Sequence, residues 1–337
     1  MKIDLQKQKI INIAKKILTN LLIPVAVLVI IILVAFRDIS IADIVANFLK
    51  IPLSYLLAFI LLSLLGTYLR ALKYHILLAK KLRFGDIFLI TLVRNFSVDL
   101  LPGRTAALIL YSWLTKKKGI ALEEGASSFV VSMFYDTLAL SFMLAGLLFF
   151  LKTGMNQWPI YIAMAVIFII SIVMIFFSHH IFHFVLEKKL ISHFPKLEKA
   201  AQKVYEYLAV HKSSPERLQV FLLSLATRLI KYLFVFILFE GVVRLGFGLE
   251  NFSRFSFGLA GTELSSLFPI QGPAGFGTWE LAFTIIFQAL KIPAENIKEA
   301  GFVIHITTQV WEYFIGLLAL AYLFFVNREK TRRDAKK

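Results

Sequence analysis

Two short stretches of this 337-residue chain set charge beside backbone-breaking residues inside otherwise apolar sequence. The first is Asp99-Leu-Leu-Pro-Gly-Arg104, with Arg94 and Asn95 one to two turns earlier. Pro102 removes a backbone donor and Gly103 permits unusual backbone angles, so amide and carbonyl groups here lose their helical partners. A half-helix beginning after Gly103 would aim its positive end, together with Arg104, at an anion. A guanidinium holds phosphate through two hydrogen bonds, so phosphate is the ligand chemistry this pattern favours. The competing reading has Arg94 and Arg104 reaching to the membrane surface, or Arg104 paired with Asp99.

The second stretch is Pro269-Ile-Gln-Gly-Pro-Ala-Gly-Phe-Gly-Thr-Trp-Glu280. Its glycine and proline density is above what an uninterrupted helix tolerates, so the backbone opens here. Pro273 marks the break, and Gly275 and Gly277 allow close approach of a ligand or a neighbouring helix. Glu280 follows within a turn. One reading makes it a cap for exposed amides at the start of a second half-helix; the other gives it an amine headgroup, a buried arginine or a proton.

Further polar residues sit inside apolar segments: Asp136, Arg228, Lys231, Glu263, His305, Gln309 and Glu312. Asp136 and Arg228 are expected to neutralise each other between spans, as an ion pair or around a ligand. His179, His180 and His183 lack a third ligand at suitable spacing and read as interfacial polar residues rather than a metal site. No P-loop, nucleophile elbow or paired-carboxylate motif is present, so no catalytic residue, metal or cofactor is expected.

The elements that must position these residues are membrane helices. Hydrophobic residues make up 58% of the chain, which points to the bilayer as solvent. The absence of cysteine excludes disulfides and thiolate chemistry. A crossing helix needs about 20 mostly apolar residues. Six stretches qualify: Ile17–Phe36, Ile51–Leu69, Ala126–Leu151, Trp158–Ser178, Leu218–Glu240 and Phe302–Val326. Two more apolar regions, Ile87–Leu114 and Phe255–Leu290, are each divided by one of the breaks. Each half is short for a crossing, so both regions read as re-entrant hairpins, with paired short helices as the alternative. The fold expected is an all-α polytopic membrane helix bundle of about six full spans plus two such hairpins.

Charge placement fits that layout. The net charge of +16 sits mostly between apolar segments, which favours a membrane-surface role over nucleic-acid binding. With the N-terminus inside, the segments predicted cytoplasmic hold 26 Lys and Arg and those predicted external hold 7. This is the positive-inside pattern, with both termini cytoplasmic. Residues 51–151 and 218–326 then become units related by inversion through the membrane plane, each with a broken segment at the same place, a plan common in transporters. The chain divides into a basic cytoplasmic N-terminus (1–16), a transmembrane domain (17–326) and a basic tail (327–337). Within the cytoplasmic loop 179–217, Phe194–Leu208 reads as an amphipathic helix.

In order, Arg70-Ala-Leu-Lys73, Asn95, Leu101-Pro-Gly-Arg104, Asp136 and Pro273-Ala-Gly-Phe-Gly-Thr-Trp-Glu280 resemble the transmembrane domain of lysylphosphatidylglycerol synthase/flippase proteins. The resemblance runs over roughly residues 17–326. It implies lipid translocation without the aminoacyl-transferase domain of two-part members. Departures from the family pattern include Ala106, Ala107 and Leu110 in place of glycine, glutamate and arginine. Phe134 and Tyr135 stand before the aspartate, and Ala274 stands where the family has glycine. The expected function is a lipid flippase or transporter of the prokaryotic cytoplasmic membrane. Its expected partner is an anionic phospholipid or prenyl phosphate headgroup, with a second copy or a lipid-modifying enzyme as a further partner. The alternatives are a membrane-embedded enzyme on a lipid-linked phosphate or sugar, and an accessory subunit of a glycosyltransferase or synthase. Residues expected to meet the substrate are Arg94, Asn95, Pro102, Gly103 and Arg104 at the first break, Asp136 in the third span, and Pro273, Gly275, Gly277 and Glu280 at the second.

Overall fold

A computed structural model of the chain describes residues 25–26, 28–98, 105–151, 158–193, 195–210, 214–265, 271–292 and 296–334. Among the described residues the fold is all helical, with no strand. After a helical stretch over 28–35 come α1 (Ile41–Leu49), α2 (Leu53–Leu77), α3 (Phe84–Phe96), α4 (Thr105–Lys117), α5 (Leu122–Leu147) and α6 (Trp158–Glu187). Then follow α7 (Pro195–Val210), α8 (Ser214–Val243), α9 (Leu249–Leu264), α10 (Thr278–Ala289) and α11 (Ile297–Asp334).

Among the described residues, four helices are long and apolar enough to cross a membrane: Leu53–Leu77, Leu122–Phe150, Glu216–Val243 and Ile297–Phe325. Each coincides with an expected span. The 30-residue α6 covers the expected span Trp158–Ser178, and the first expected span, Ile17–Phe36, lies partly outside the described residues. The two interrupted regions form pairs of short helices, α3 with α4 and α9 with α10. These have 13, 13, 16 and 12 residues. At 1.5 Å per residue each is about 18–24 Å long, against roughly 30 Å of hydrocarbon. The expected amphipathic loop helix is α7, whose Tyr207 hydroxyl donates to the Leu77 carbonyl at 2.7 Å and ties the loop to the end of α2.

The packing is organised around α2 and α8, which share the most extensive interface in the bundle. Glycine lets them meet: a Cβ on Gly66 would stand 3.4 Å from Ile230 Cγ2. The last helix, α11, packs against α3, where a Cβ on Gly316 would collide with Phe96 and come within 3.1 Å of the Leu92 carbonyl oxygen. Beneath the second pair of short helices, Phe239, Phe255, Phe283 and Phe287 are fully buried, with the rings of Phe283 and Phe287 stacked at 3.8 Å. Gly258 on α9 makes room for the Phe287 ring. Such aromatic density explains where many of the 33 phenylalanines go.

Charge also crosses the bundle interior. Lys73 on α2 is fully buried, and its Nζ lies 2.5 Å from Asp136 Oδ1 on α5 and 3.0 Å from Ser224 Oγ on α8. One ammonium thus joins three helices. The expected Asp136–Arg228 ion pair is not formed: Lys73 takes the carboxylate, while Arg228 Nε donates to the Asp136 backbone carbonyl at 3.2 Å. The reason is position. The second apolar span extends eight residues beyond Leu69, which carries Lys73 into the core beside Asp136. At the other end of the molecule, Lys298 donates to Asp38 Oδ2 at 2.9 Å and holds that exposed carboxyl below its ordinary range.

Two outcomes follow for stability. Lys73→Met leaves Asp136 as an unpaired buried anion and should cost about 3–5 kcal/mol, while Lys73→Met/Asp136→Leu should recover most of it; thermal midpoints in detergent measure both. Gly316→Val should lower the midpoint by an overpacking cost of about 1–3 kcal/mol. Gly146→Ala, where an added Cβ meets nothing within 4 Å, should leave it unchanged.

Candidate functional site

Helices α2, α3, α5, α8, α9 and α11 enclose a cavity of about 140 Å³. Its lining includes Arg70, Arg94, Asn95, Asp136, Arg228, Lys231, Glu263, His305 and Glu312, with Trp279 at the start of α10. These side chains come from both halves of the chain.

The first wall is built by the last turn of α3 against α2. The backbone of α3 closes with Ser97 N donating to Val93 O at 3.1 Å. Arg94 and Asn95 lie just before that end, where the carbonyl pole of a helix favours a cation. Asn95 Nδ2 donates to Thr67 Oγ1 at 3.0 Å, and Thr67 Oγ1 donates to the Ser63 carbonyl at 3.0 Å. That fixes the amide so its oxygen faces two guanidinium groups: Arg70 Nη1 at 2.7 Å and Arg94 Nη1 at 3.2 Å. Two cations therefore share one neutral acceptor. Neither has a carboxylate within ion-pair distance among the described residues, and the Nε atoms of both are buried without a hydrogen-bond partner there. Arg94 also lies over the Phe129 ring, 5.3 Å from its centroid.

The second wall joins α8 to α9. Glu263 accepts from Arg228 Nη1 at 3.1 Å, Lys231 Nζ at 2.5 Å and the Tyr232 hydroxyl at 3.3 Å. Two positive charges surround one carboxylate, and the Lys73–Asp136 pair stands alongside. Counting Lys73 and Glu280 behind the lining, five Lys and Arg side chains face Asp136, Glu263, Glu280 and Glu312. The balance is positive. A polar cavity with surplus buried cations is suited to an anionic group that supplies the missing charge and accepts several hydrogen bonds at once.

The third wall is the second break. Gly275 and Gly277 adopt φ of +80° and +84°, the left-handed region that glycine enters without strain. Ala274 between Pro273 and Gly275 also has positive φ, at +54°, a conformation that glycine would take without strain. Glu280 Oε2 accepts from Gly277 N at 2.6 Å, so the capping expectation holds. Its other oxygen lies 2.6 Å from His305 Nδ1. A histidine, not an arginine, is therefore its side-chain partner.

Of the residues expected from sequence, Arg94, Asn95 and Asp136 line the cavity. Arg94 is 4% exposed, so it does not reach to the surface. Glu280 stands one contact behind, and Pro273, Gly275 and Gly277 shape the turn that carries it. Pro102, Gly103 and Arg104 lie outside the described residues. Arg70 and Lys73 are the principal addition. Counted as cytoplasmic flank in the charge tally, they extend the second span, Lys73 fully buried and Arg70 half-buried, and their three-residue spacing on a continuing helix was the available signal. The convergence of Glu263 on Arg228 and Lys231 had no local signal. His180 and His183 are exposed, and among the described residues no group of three metal-ligating side chains converges.

No curated protein matches the chain. The sequence model described as the lysylphosphatidylglycerol synthase TM region matches residues 21–326, from the stretch before α1 to well into α11. Both broken segments and every wall of the cavity fall within that match, and the chain belongs to this family of membrane proteins.

Proposed function

We propose that the protein is a lipid flippase or transporter that moves a phospholipid or a prenyl-phosphate-linked lipid across the prokaryotic cytoplasmic membrane. The observation that carries this reading is the Arg70–Asn95–Arg94 arrangement: two guanidinium groups, one buried and one half-buried, on one amide oxygen, without a carboxylate partner among the described residues. A phosphate entering between them would receive charge-assisted hydrogen bonds from both. The acyl or prenyl chains stay in lipid, and only the headgroup enters the cavity. Arg104 at the first break is a further phosphate ligand in this reading, and Glu280 holds the second break in shape.

Several features support transport. The short α3–α4 and α9–α10 pairs follow long helices at matching places in the two halves, as in an inverted repeat with two re-entrant hairpins. The leading long helices of those halves, α2 and α8, pack on each other. The excess of Lys and Arg in segments predicted cytoplasmic supports both termini facing the cytoplasm. Lys73, fully buried, and Arg70, half-buried at the cavity, leave that tally, and a large asymmetry remains.

The test is headgroup-resolved translocation in proteoliposomes, using phosphatidylglycerol, its aminoacylated form, a zwitterionic lipid and a prenyl phosphate. Arg70→Gln and Arg94→Gln should each slow translocation by about tenfold or more. Neither should lower the thermal midpoint, because each relieves repulsion between neighbouring cations. Absence of movement above protein-free vesicles for every lipid, with the protein folded, would overturn the reading.

A further inference from the structure

The cavity wall at the second break holds a continuous line of polar contacts: Gly277 N to Glu280, Glu280 to His305 Nδ1, and His305 Nε2 to Gln309 Nε2 at 3.2 Å. Glu280 is fully buried and His305 is 4% exposed. The imidazole lies against the rings of Phe276 and Trp279, with centroids 4.5 Å and 4.7 Å away, which fixes its plane. A Cβ on Gly275 would sit 3.7 Å from His305 Cε1.

This geometry separates the roles of the two ring nitrogens. An ionised carboxylate only accepts, so Nδ1 keeps its hydrogen facing Glu280 whether or not the ring is charged. Nε2 is then the atom that gains or loses a proton. In the neutral ring it accepts from the Gln309 amide nitrogen. In the charged ring it donates to the Gln309 amide oxygen after the amide turns over. In both states the ring Nε2 keeps a hydrogen-bonding partner in the Gln309 amide.

The charged groups facing this ring are Glu280 on α10, Glu312 on its own helix, Arg70 on α2, Arg94 on α3, Asp136 on α5, Arg228 and Lys231 on α8, and Glu263 on α9. Asp136 and Glu263 are engaged by Lys73, Arg228 and Lys231. A proton on His305 therefore adds one positive charge to a cavity that already carries a surplus. By linkage, an anion bound in that cavity favours the proton, and the proton favours the anion to the same degree.

We propose that His305, held between Glu280 and Gln309, takes up a proton when an anionic headgroup enters the cavity and releases it when the headgroup leaves, so that headgroup binding is proton-coupled. The proposal rests on the headgroup-site reading above and assigns it an energy source.

Two measurements test it. Trp279 fluorescence, taken as the difference between wild type and Trp279→Phe, should fall on acidification as the adjacent imidazole gains its proton. His305→Gln and His305→Asn should each abolish that change. Calorimetry of short-chain phosphatidylglycerol binding, in buffers of different ionisation enthalpy, should register proton uptake by wild type and none by either variant. Affinity should rise about tenfold with acidification in wild type alone. A fluorescence titration that is absent in wild type, or that persists in both variants, overturns the proposal, as does phosphatidylglycerol binding without proton uptake. Failure of translocation in vesicles, with the titration and proton uptake intact, overturns the transport reading and leaves the proton site standing.

Discussion

Burial of charge without enough counter-charge is the constraint on which the rest of this molecule depends. A cation removed from water must find a carboxylate, a set of acceptors or a polar cavity, and the cost of failure is several kcal/mol. Lys73 and Asp136 meet that demand by pairing, and Arg228 and Lys231 meet it through Glu263. Arg70 and Arg94 have instead an asparagine oxygen and a cavity. Helix positions follow from these partners. α2, α5 and α8 meet where Lys73 reaches Asp136 and Ser224, and α8 meets α9 at Glu263.

The broken segments serve the same constraint. A continuous helix satisfies its own backbone and presents only side chains to a cavity. Interrupting it brings a helix end and charged residues together, as at the end of α3, where Arg94 and Asn95 sit. At the second break the opened backbone must be recaptured, and Glu280 does so by accepting from Gly277 N. The same carboxylate holds His305, so the geometry of the turn and the orientation of the imidazole are set together. Positive φ at Ala274, Gly275 and Gly277 makes the turn tight enough to permit this.

Apolar packing holds the polar parts in register. The phenylalanine cluster of α8, α9 and α10 fixes the second pair of short helices, and Gly258 lets Phe287 enter between them. Gly316 lets α11 close on α3, bringing the helix that carries His305 and Gln309 against the helix that carries Arg94 and Asn95. Small residues at helix contacts are the usual device where lipid offers no hydrophobic drive for association.

The amino-acid sequence by itself determined the class of the fold, the long helices and the positions of both breaks. These depend on local quantities, namely run lengths of apolar residues and the backbone preferences of proline and glycine. The helices over Phe84–Phe96 and Thr105–Lys117, and those over Leu249–Leu264 and Thr278–Ala289, flank the two expected interruptions. Glu280 as a cap was legible for the same reason, since its partner is three residues away. What only the tertiary structure decided was which charges meet. Asp136 is 63 residues from Lys73, and Glu263 is 32 residues from Lys231. Asp136 was equally compatible, in sequence, with Arg228. Its choice of Lys73 depended on how far α2 continued past its apolar run and how α2, α5 and α8 rotated against one another. Pairing energies act through space, and helix rotation is fixed by packing summed over the bundle, which no local stretch of the chain encodes.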